Sequence, residues 1–304
     1  MPPPSRRANV ALLLSLALIW GSSYMLIKLG LETLPPLTIA AARITLAALV
    51  AIIIVWFRGD RLPLGMAQWK PFFVMAMLSN VMPFILIAWG ETRIDSGLTG
   101  ILLGCMPLTT LVLAHLFTRD ERLSRVKIIG LSLGAAGLAI LVGPDALSGL
   151  GGHLLGELAV IGAALCYAAA TVYAHRAIRA RPTVSAAATL LVASAIILPA
   201  SLILDTPWRL APSALSLAAV ALLGIIGTGV ATLIYFRLIS GAGATFTAMI
   251  NYLIPPVSVI WGVMLLGETP TLQMAGALAL ILAGVGLINR KKAARDKPGT
   301  SAME

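Results

Sequence analysis

Long apolar runs separated by short polar connections dominate the chain from its first arginine pair to about residue 290. Ten runs are legible, at roughly 9–28, 37–57, 71–90, 97–117, 126–142, 154–174, 184–204, 213–236, 244–266 and 272–289. A helix rises 1.5 Å per residue, so about 20 apolar residues cross the hydrocarbon core of a bilayer. The pattern predicts an all-α integral membrane protein with ten transmembrane helices. Ten spans occupy about 200 residues, and the connections left over are too short for a soluble domain. The first run does not read as a cleaved leader. It is too long for the apolar core of a signal peptide, and Trp20-Gly21-Ser22-Ser23-Tyr24 leads into more span rather than a cleavage site.

Composition sharpens this reading. Hydrophobic residues make up 59% of the 304 and charged residues 11%, against roughly 25% charged in soluble proteins. Mean hydropathy is +0.96. So few charges cannot cover the surface of a soluble fold of this size. Two cysteines exclude a secreted disulfide scaffold. Cys105 and Cys166 both fall inside apolar runs and read as small packing residues. The net charge of +10 does not point to nucleic acid, because basic residues of polytopic proteins gather in cytoplasmic loops.

The positions of those charges set an orientation. Placing the N-terminus, the even-numbered loops and the C-terminus on one side gathers 18 of the 22 Lys and Arg residues there. Only Lys28, Arg43, Arg93 and Arg209 fall to the other side. The positive-inside rule then predicts a multi-pass protein of the bacterial inner membrane with both termini cytoplasmic.

A shift of about 146–147 residues aligns the two halves. Thr118-Arg119-Asp120-Glu121 lies over Leu266-Gly267-Glu268, and Gly134-Ala135-Ala136-Gly137-Leu138 over Ile281-Leu282-Ala283-Gly284-Val285. Trp89 meets Tyr235, Pro83 meets Gly229, and Pro107 falls within a residue of Pro255-Pro256. Five spans per half is an odd number, so the halves must cross in opposite senses. The expectation is an inverted 5+5 repeat, as in many secondary transporters. Its divisions are a cytoplasmic N-terminus at 1–8, repeats at 9–145 and 146–290, and a basic cytoplasmic tail at 291–304.

The ordered motifs also resemble a known family. Trp20-Gly21-Ser22-Ser23 with Lys28-Leu29-Gly30, Ala42-Arg43, Gly97 with the apolar run to Pro107, Asp120-Glu121, Gly267-Glu268 and Gly276 through Gly286 together resemble the EamA-type permeases of the drug/metabolite transporter superfamily. The resemblance covers roughly residues 10–290. It implies ten helices around a central cavity and export of metabolites. Within the superfamily the chain is most similar to bacterial amino-acid exporters, aromatic ones included. The small multidrug-resistance branch uses a glutamate in its first span, and the first run here has no acid. Proton-coupled export of lipophilic cations by that route loses support.

Polar groups at membrane depth are costly and tend to face a cavity. Asn80, Pro83 and Trp89 in the third run, Pro107 in the fourth, and Asn251 and Tyr252 beside Pro255-Pro256 in the ninth are candidates for a substrate site. Proline removes a helix hydrogen bond and frees the carbonyl four residues back, and breaks at matching depth in two halves point to a transporter's binding site. Trp20, Tyr24, Tyr167 and Tyr235 supply aromatic surface. Trp20 and Tyr24, four residues apart, share a helix face. Arg43, about 10 Å down the second span, is placed to snorkel outward, to pair with Glu91 or Glu157, or to hold a substrate carboxylate. Glu157 is the acid expected nearest the membrane interior, and without a mid-membrane carboxylate a proton relay has no carrier. Transport is therefore expected to be facilitated diffusion or weakly coupled exchange.

Other classes find less in the chain. No H-E-x-x-H, no G-x-S-x-G and no pair of span-embedded aspartates supports an intramembrane enzyme, and His115, His153 and His175 lack metal-ligand spacing. No cofactor is implied. The expected partners are amino-acid substrates and the bilayer, with no nucleic acid, and the protein is expected to work as a monomer. The small-x-x-x-small patterns at Gly100/Gly104 and Gly130/Gly134 read as internal packing. Reporter fusions at both termini should give cytoplasmic signals. A periplasmic signal from either end would mean an odd number of spans and would remove the repeat argument.

Overall fold

A computed structural model describes residues 6–117, 124–142 and 152–295. The acidic turn at Asp120-Glu121, the division at 145/146 and the tail beyond 295 lie outside the described residues. All regular elements among the described residues are helices. They are α1 (Arg6–Leu31), α2 (Pro36–Phe57), α3 (Lys70–Ala76), α4 (Met82–Glu91), α5 (Ser96–Leu103), α6 (Met106–Phe117), α7 (Arg125–Val142), α8 (Gly152–Ala177), α9 (Pro182–Leu204), α10 (Ala214–Gly224), α11 (Ala231–Ala242), α12 (Ala244–Thr247), α13 (Ile250–Leu266) and α14 (Leu272–Arg295).

Seven continuous stretches are long and apolar enough to cross a membrane: α1, α2, α3 running on into α4, α5 into α6, α8, α9, and α10 into α11. Ile250–Leu266 and Leu272–Leu287 are shorter apolar helices. The chain is a multi-span membrane protein. Local chemistry sets several starts: Pro36 and Pro182 open α2 and α9, where a missing N–H costs nothing. The Ser213 side chain caps α10 by accepting from the Ser216 amide at 3.1 Å.

The packing is paired. α2 lies on α9 and α7 on α14. α1 packs on α13 and on α10–α11, while α8 packs on α6 and on α4. Small residues permit the close approaches. A Cβ at Gly284 would run into the Gly130 carbonyl and lie 3.0 Å from the Gly134 amide nitrogen, so glycine at these positions brings α7 and α14 together.

The helix breaks differ from the expectation of kinks at the prolines themselves. Met77–Val81 and Ile225–Val230 are π-helical turns, separated by close to the shift that aligns the halves. The first ends two residues before Pro83, whose absent N–H leaves the Ser79 carbonyl without its usual donor; the second contains Gly229. The fourth run is interrupted at Gly104-Cys105, just before Pro107. Pro255 and Pro256 stand inside α13 without interrupting it, and the break comes earlier, at Ala248-Met249.

Candidate functional site

The two π-turns and the Gly104 break border one cavity of about 750 Å³. Helices α1–α6, α8, α9, α11 and α13 all contribute to its wall. It reaches the connection between α8 and α9, where Ala180 and Pro182 are exposed. Its other end stops at Phe84, Ile87, Arg43 and Thr228, all buried. The cavity is therefore open at the end of the bundle where α1 begins and closed at the opposite end.

Of the residues expected at a cavity, Trp20, Tyr24, Asn80, Tyr167, Tyr235 and Asn251 line this one. Trp20 and Tyr235 stack in a tilted pair with centroids 5.5 Å apart. The remaining four lie elsewhere. Pro83 is buried at the start of α4. The Trp89 ring lies 3.6 Å from the Arg93 guanidinium, toward the closed end. Pro107 follows the cavity-lining Met106 in α6 but is not itself part of the wall. The Tyr252 hydroxyl donates to the Val285 carbonyl at 2.8 Å, which ties α13 to α14.

Arg43 takes none of the simpler roles open to it. It is buried, so it does not snorkel, and among the described residues neither carboxylate oxygen of Glu91 has a hydrogen-bond partner, so the two are not joined. Its Nε–H donates to Thr228 Oγ1 at 2.9 Å, and its guanidinium carbon lies 3.8 Å from the centre of the Phe84 ring. The π-turn in Ile225–Val230 carries Thr228 and so aims its hydroxyl at Arg43. Glu157 is buried on α8 away from the cavity wall.

Sequence reasoning placed Glu91 at a span end and missed its burial. Only 1% of it is exposed, and neither carboxylate oxygen has a hydrogen-bond partner among the described residues. The neighbouring Thr99 hydroxyl donates instead to the Asp95 carbonyl at 3.1 Å. The π-turns were also missed, although Gly227-Thr228-Gly229 is a weak helix sequence that marks one of them.

Polar bonds stitch the closed end. Thr38 donates to Asp205 Oδ2 at 2.6 Å, Ser216 donates to the Leu29 carbonyl at 2.7 Å, and the Ser213 amide donates to Thr33 Oγ1 at 3.2 Å. The strongest chemistry belongs to Glu268. Gly267 ends α13 at φ +68°, a left-handed conformation that glycine adopts without strain. The turn brings Glu268 to the first amides of α5, and it accepts from Ser96 at 2.7 Å and Gly97 at 2.9 Å. Those amides have no partner within their own helix, and the carboxylate also meets the positive end of the helix dipole.

At the open end Arg181 donates to Asp60 Oδ1 at 2.8 Å and Thr183 to Oδ2 at 3.1 Å. These bonds, the first above all, hold the Asp60 carboxyl below the usual carboxylate range, helped by the charges of Arg181 and Arg58. The link is therefore intact at neutral pH and is lost as the pH falls below that range and Asp60 is protonated. No group of three His, Cys, Asp or Glu among the described residues is placed to hold a metal ion.

With this geometry in view, the comparisons decide the family. The model of the EamA-like transporter family matches the chain twice, over residues 8–143 and 154–290. The chain belongs to the EamA-like transporter family. Its two EamA segments together enclose the cavity. The Uncharacterized inner membrane transporter YedA of Escherichia coli is 26% identical over 92% of this chain and 90% of its own length. The Uncharacterized transporter YoaV of Bacillus subtilis is 29% identical over 155 residues, and there the chain spans about half (53%) of the relative's length. A crystal structure of a protein 20% identical superposes with a TM-score of 0.66, covering 96% of this chain and all of the other, which shows a shared fold.

Replacing Glu268 by Ala should lower thermal stability in detergent by about 1–3 kcal/mol, the scale of hydrogen bonds to a charged acceptor. Gln should recover part of the loss. An unchanged melting temperature in the Ala variant would mean that water satisfies the Ser96 and Gly97 amides.

Proposed function

We propose that this EamA-like protein exports amino acids, aromatic and other neutral ones with broad specificity, by alternating access. The observation that carries the reading is a cavity of about 750 Å³, closed at one end and open at the other, lined by residues of both family segments. Its volume falls within the ≈ 300–1,000 Å³ of small-molecule sites. Aromatic walls suit an apolar side chain. Asn80 and Asn251 offer both donors and acceptors, and the carbonyls of Asn251 and Tyr252 lack their usual helix donors because Pro255 and Pro256 follow four residues on.

The proposed architecture is ten spans in an inverted 5+5 repeat, with both termini cytoplasmic in a bacterial inner membrane. The paired packing of α1 on α13 and α8 on α6, and the corresponding π-turns, support it. On that orientation the cavity faces the cytoplasm, the loading state of an exporter. Transport without a strong proton couple fits a cavity wall with no acidic side chain. The functional unit is proposed to be the monomer, because the cavity is complete within one chain.

In proteoliposomes, Asn251→Ala should reduce amino-acid flux roughly two- to tenfold, the worth of one hydrogen bond. Its melting temperature should stay within about 2 °C of the parent protein, since the side chain faces the cavity rather than the core. Full flux in a folded variant would place the substrate elsewhere.

A further inference from the structure

Arg43 carries more binding capacity than its protein neighbours use. A guanidinium has five N–H donors in a rigid fork. Only Nε–H is taken, by Thr228. The two terminal NH2 groups have no acceptor among the described residues, although the residue is only 8% exposed and lines the cavity at its closed end. The Phe84 ring fixes the guanidinium plane from one side, and the Thr228 hydroxyl fixes the Nε edge. What remains free is the terminal fork, the edge that pairs with two oxygens of a carboxylate at once.

The charges around it do not fill that role. Neither carboxylate oxygen of Glu91 has a hydrogen-bond partner among the described residues, so Glu91 does not occupy the Arg43 fork. No Asp or Glu stands among the residues lining the cavity. A positive group enclosed at this depth is costly unless something negative meets it. An anionic end of a ligand is therefore met by a full charge, while a cationic end finds only neutral acceptors such as Asn80, Asn251 and the tyrosine hydroxyls.

We infer that Arg43 is the anchor of the cavity, holding the carboxylate of a substrate through its terminal fork, and that a carboxylate is the group a ligand must carry while an amine is dispensable. This rests on reading the cavity as the substrate site and goes further in naming the chemistry. The substrate class is monocarboxylates with an apolar or aromatic body, amino acids among them. Organic cations and amines without a carboxylate are excluded.

Three probes that share one body separate the ends: phenylalanine, 3-phenylpropionate, which lacks the amine, and phenethylamine, which lacks the carboxylate. Binding to the purified protein should be similar for the first two and at least about tenfold weaker for the amine. Arg43→Gln should weaken phenylalanine and 3-phenylpropionate about 10- to 100-fold and leave the amine unchanged, with Arg43→Lys between. Thr228→Val, which releases Nε, should cause a smaller loss of the same kind. The inference is overturned if phenethylamine binds as tightly as 3-phenylpropionate, if 3-phenylpropionate does not bind, or if a folded Arg43→Gln binds both acids normally. If 3-phenylpropionate binds through Arg43 and phenylalanine does not, the anchor stands and amino-acid export fails. If the Arg43 variants do not fold, the wild-type comparison still tests the need for a carboxylate, and Thr228→Val tests the anchor: equal binding of 3-phenylpropionate by that variant and the parent protein overturns it.

Discussion

A backbone amide or carbonyl in hydrocarbon has no water to bond, and leaving one unpaired costs several kcal/mol. Everything distinctive in this molecule follows from where that rule is relaxed. Helices here depart from regular α-geometry at Met77–Val81, Gly104-Cys105, Ile225–Val230 and Ala248-Met249, and residues of the first three border the cavity. A broken helix facing lipid would be too costly, whereas one facing a polar cavity is stabilised by the groups around it. Three of the four breaks therefore lie where the cavity wall supplies polar groups. π-turns widen the backbone locally and recur at functional positions in helices. One of them delivers Thr228 to Arg43, so the same irregularity that borders the cavity also orients the one cation among its described lining residues.

The two ends of the bundle are held differently. The closed end is joined by side-chain hydrogen bonds between helices, with Glu268 capping α5 across a sequence separation of 172 residues. The open end is crossed by the Arg181–Asp60 pair, in which the arginine side chain is 80% exposed and the aspartate 10%. Exposed ion pairs contribute little to stability. A link of that kind can be broken and remade cheaply. The asymmetry is what a protein needs if it rests in one state and must leave it during transport.

Much of the fold was legible in the sequence because lipid imposes length. Stretches of about 20 apolar residues and the paired prolines sufficed for the helices and for the general place of the breaks. Trp20, Tyr24 and Tyr167 stand out by depth along their runs and Tyr235 by its repeat relation to Trp89, and all four line the cavity, whereas Tyr252, at similar depth, does not. What the sequence did not show was direction. Tyr252 and Asn251 are adjacent, yet one bonds to α14 and the other faces the cavity, a difference set by about 100° of helix rotation that apolarity on every side cannot reveal. Glu91 looked like an interfacial acid because it closes a run, and only the packing of α4 against α8 and α5 shows it enclosed. The π-turns stayed hidden because proline signals a lost hydrogen bond without saying how the helix will absorb it.

The central claim is that the cavity's two ends open in alternation. Spin labels at Arg58 and Arg179 report the open end, and labels at Glu32 and Arg209 the closed end, all at exposed positions. Paired distance measurements in proteoliposomes test the claim directly. As substrate is added, the Arg58–Arg179 distance should shorten while the Glu32–Arg209 distance lengthens. Distances that move together, or that stay fixed while substrate crosses the membrane, would contradict it.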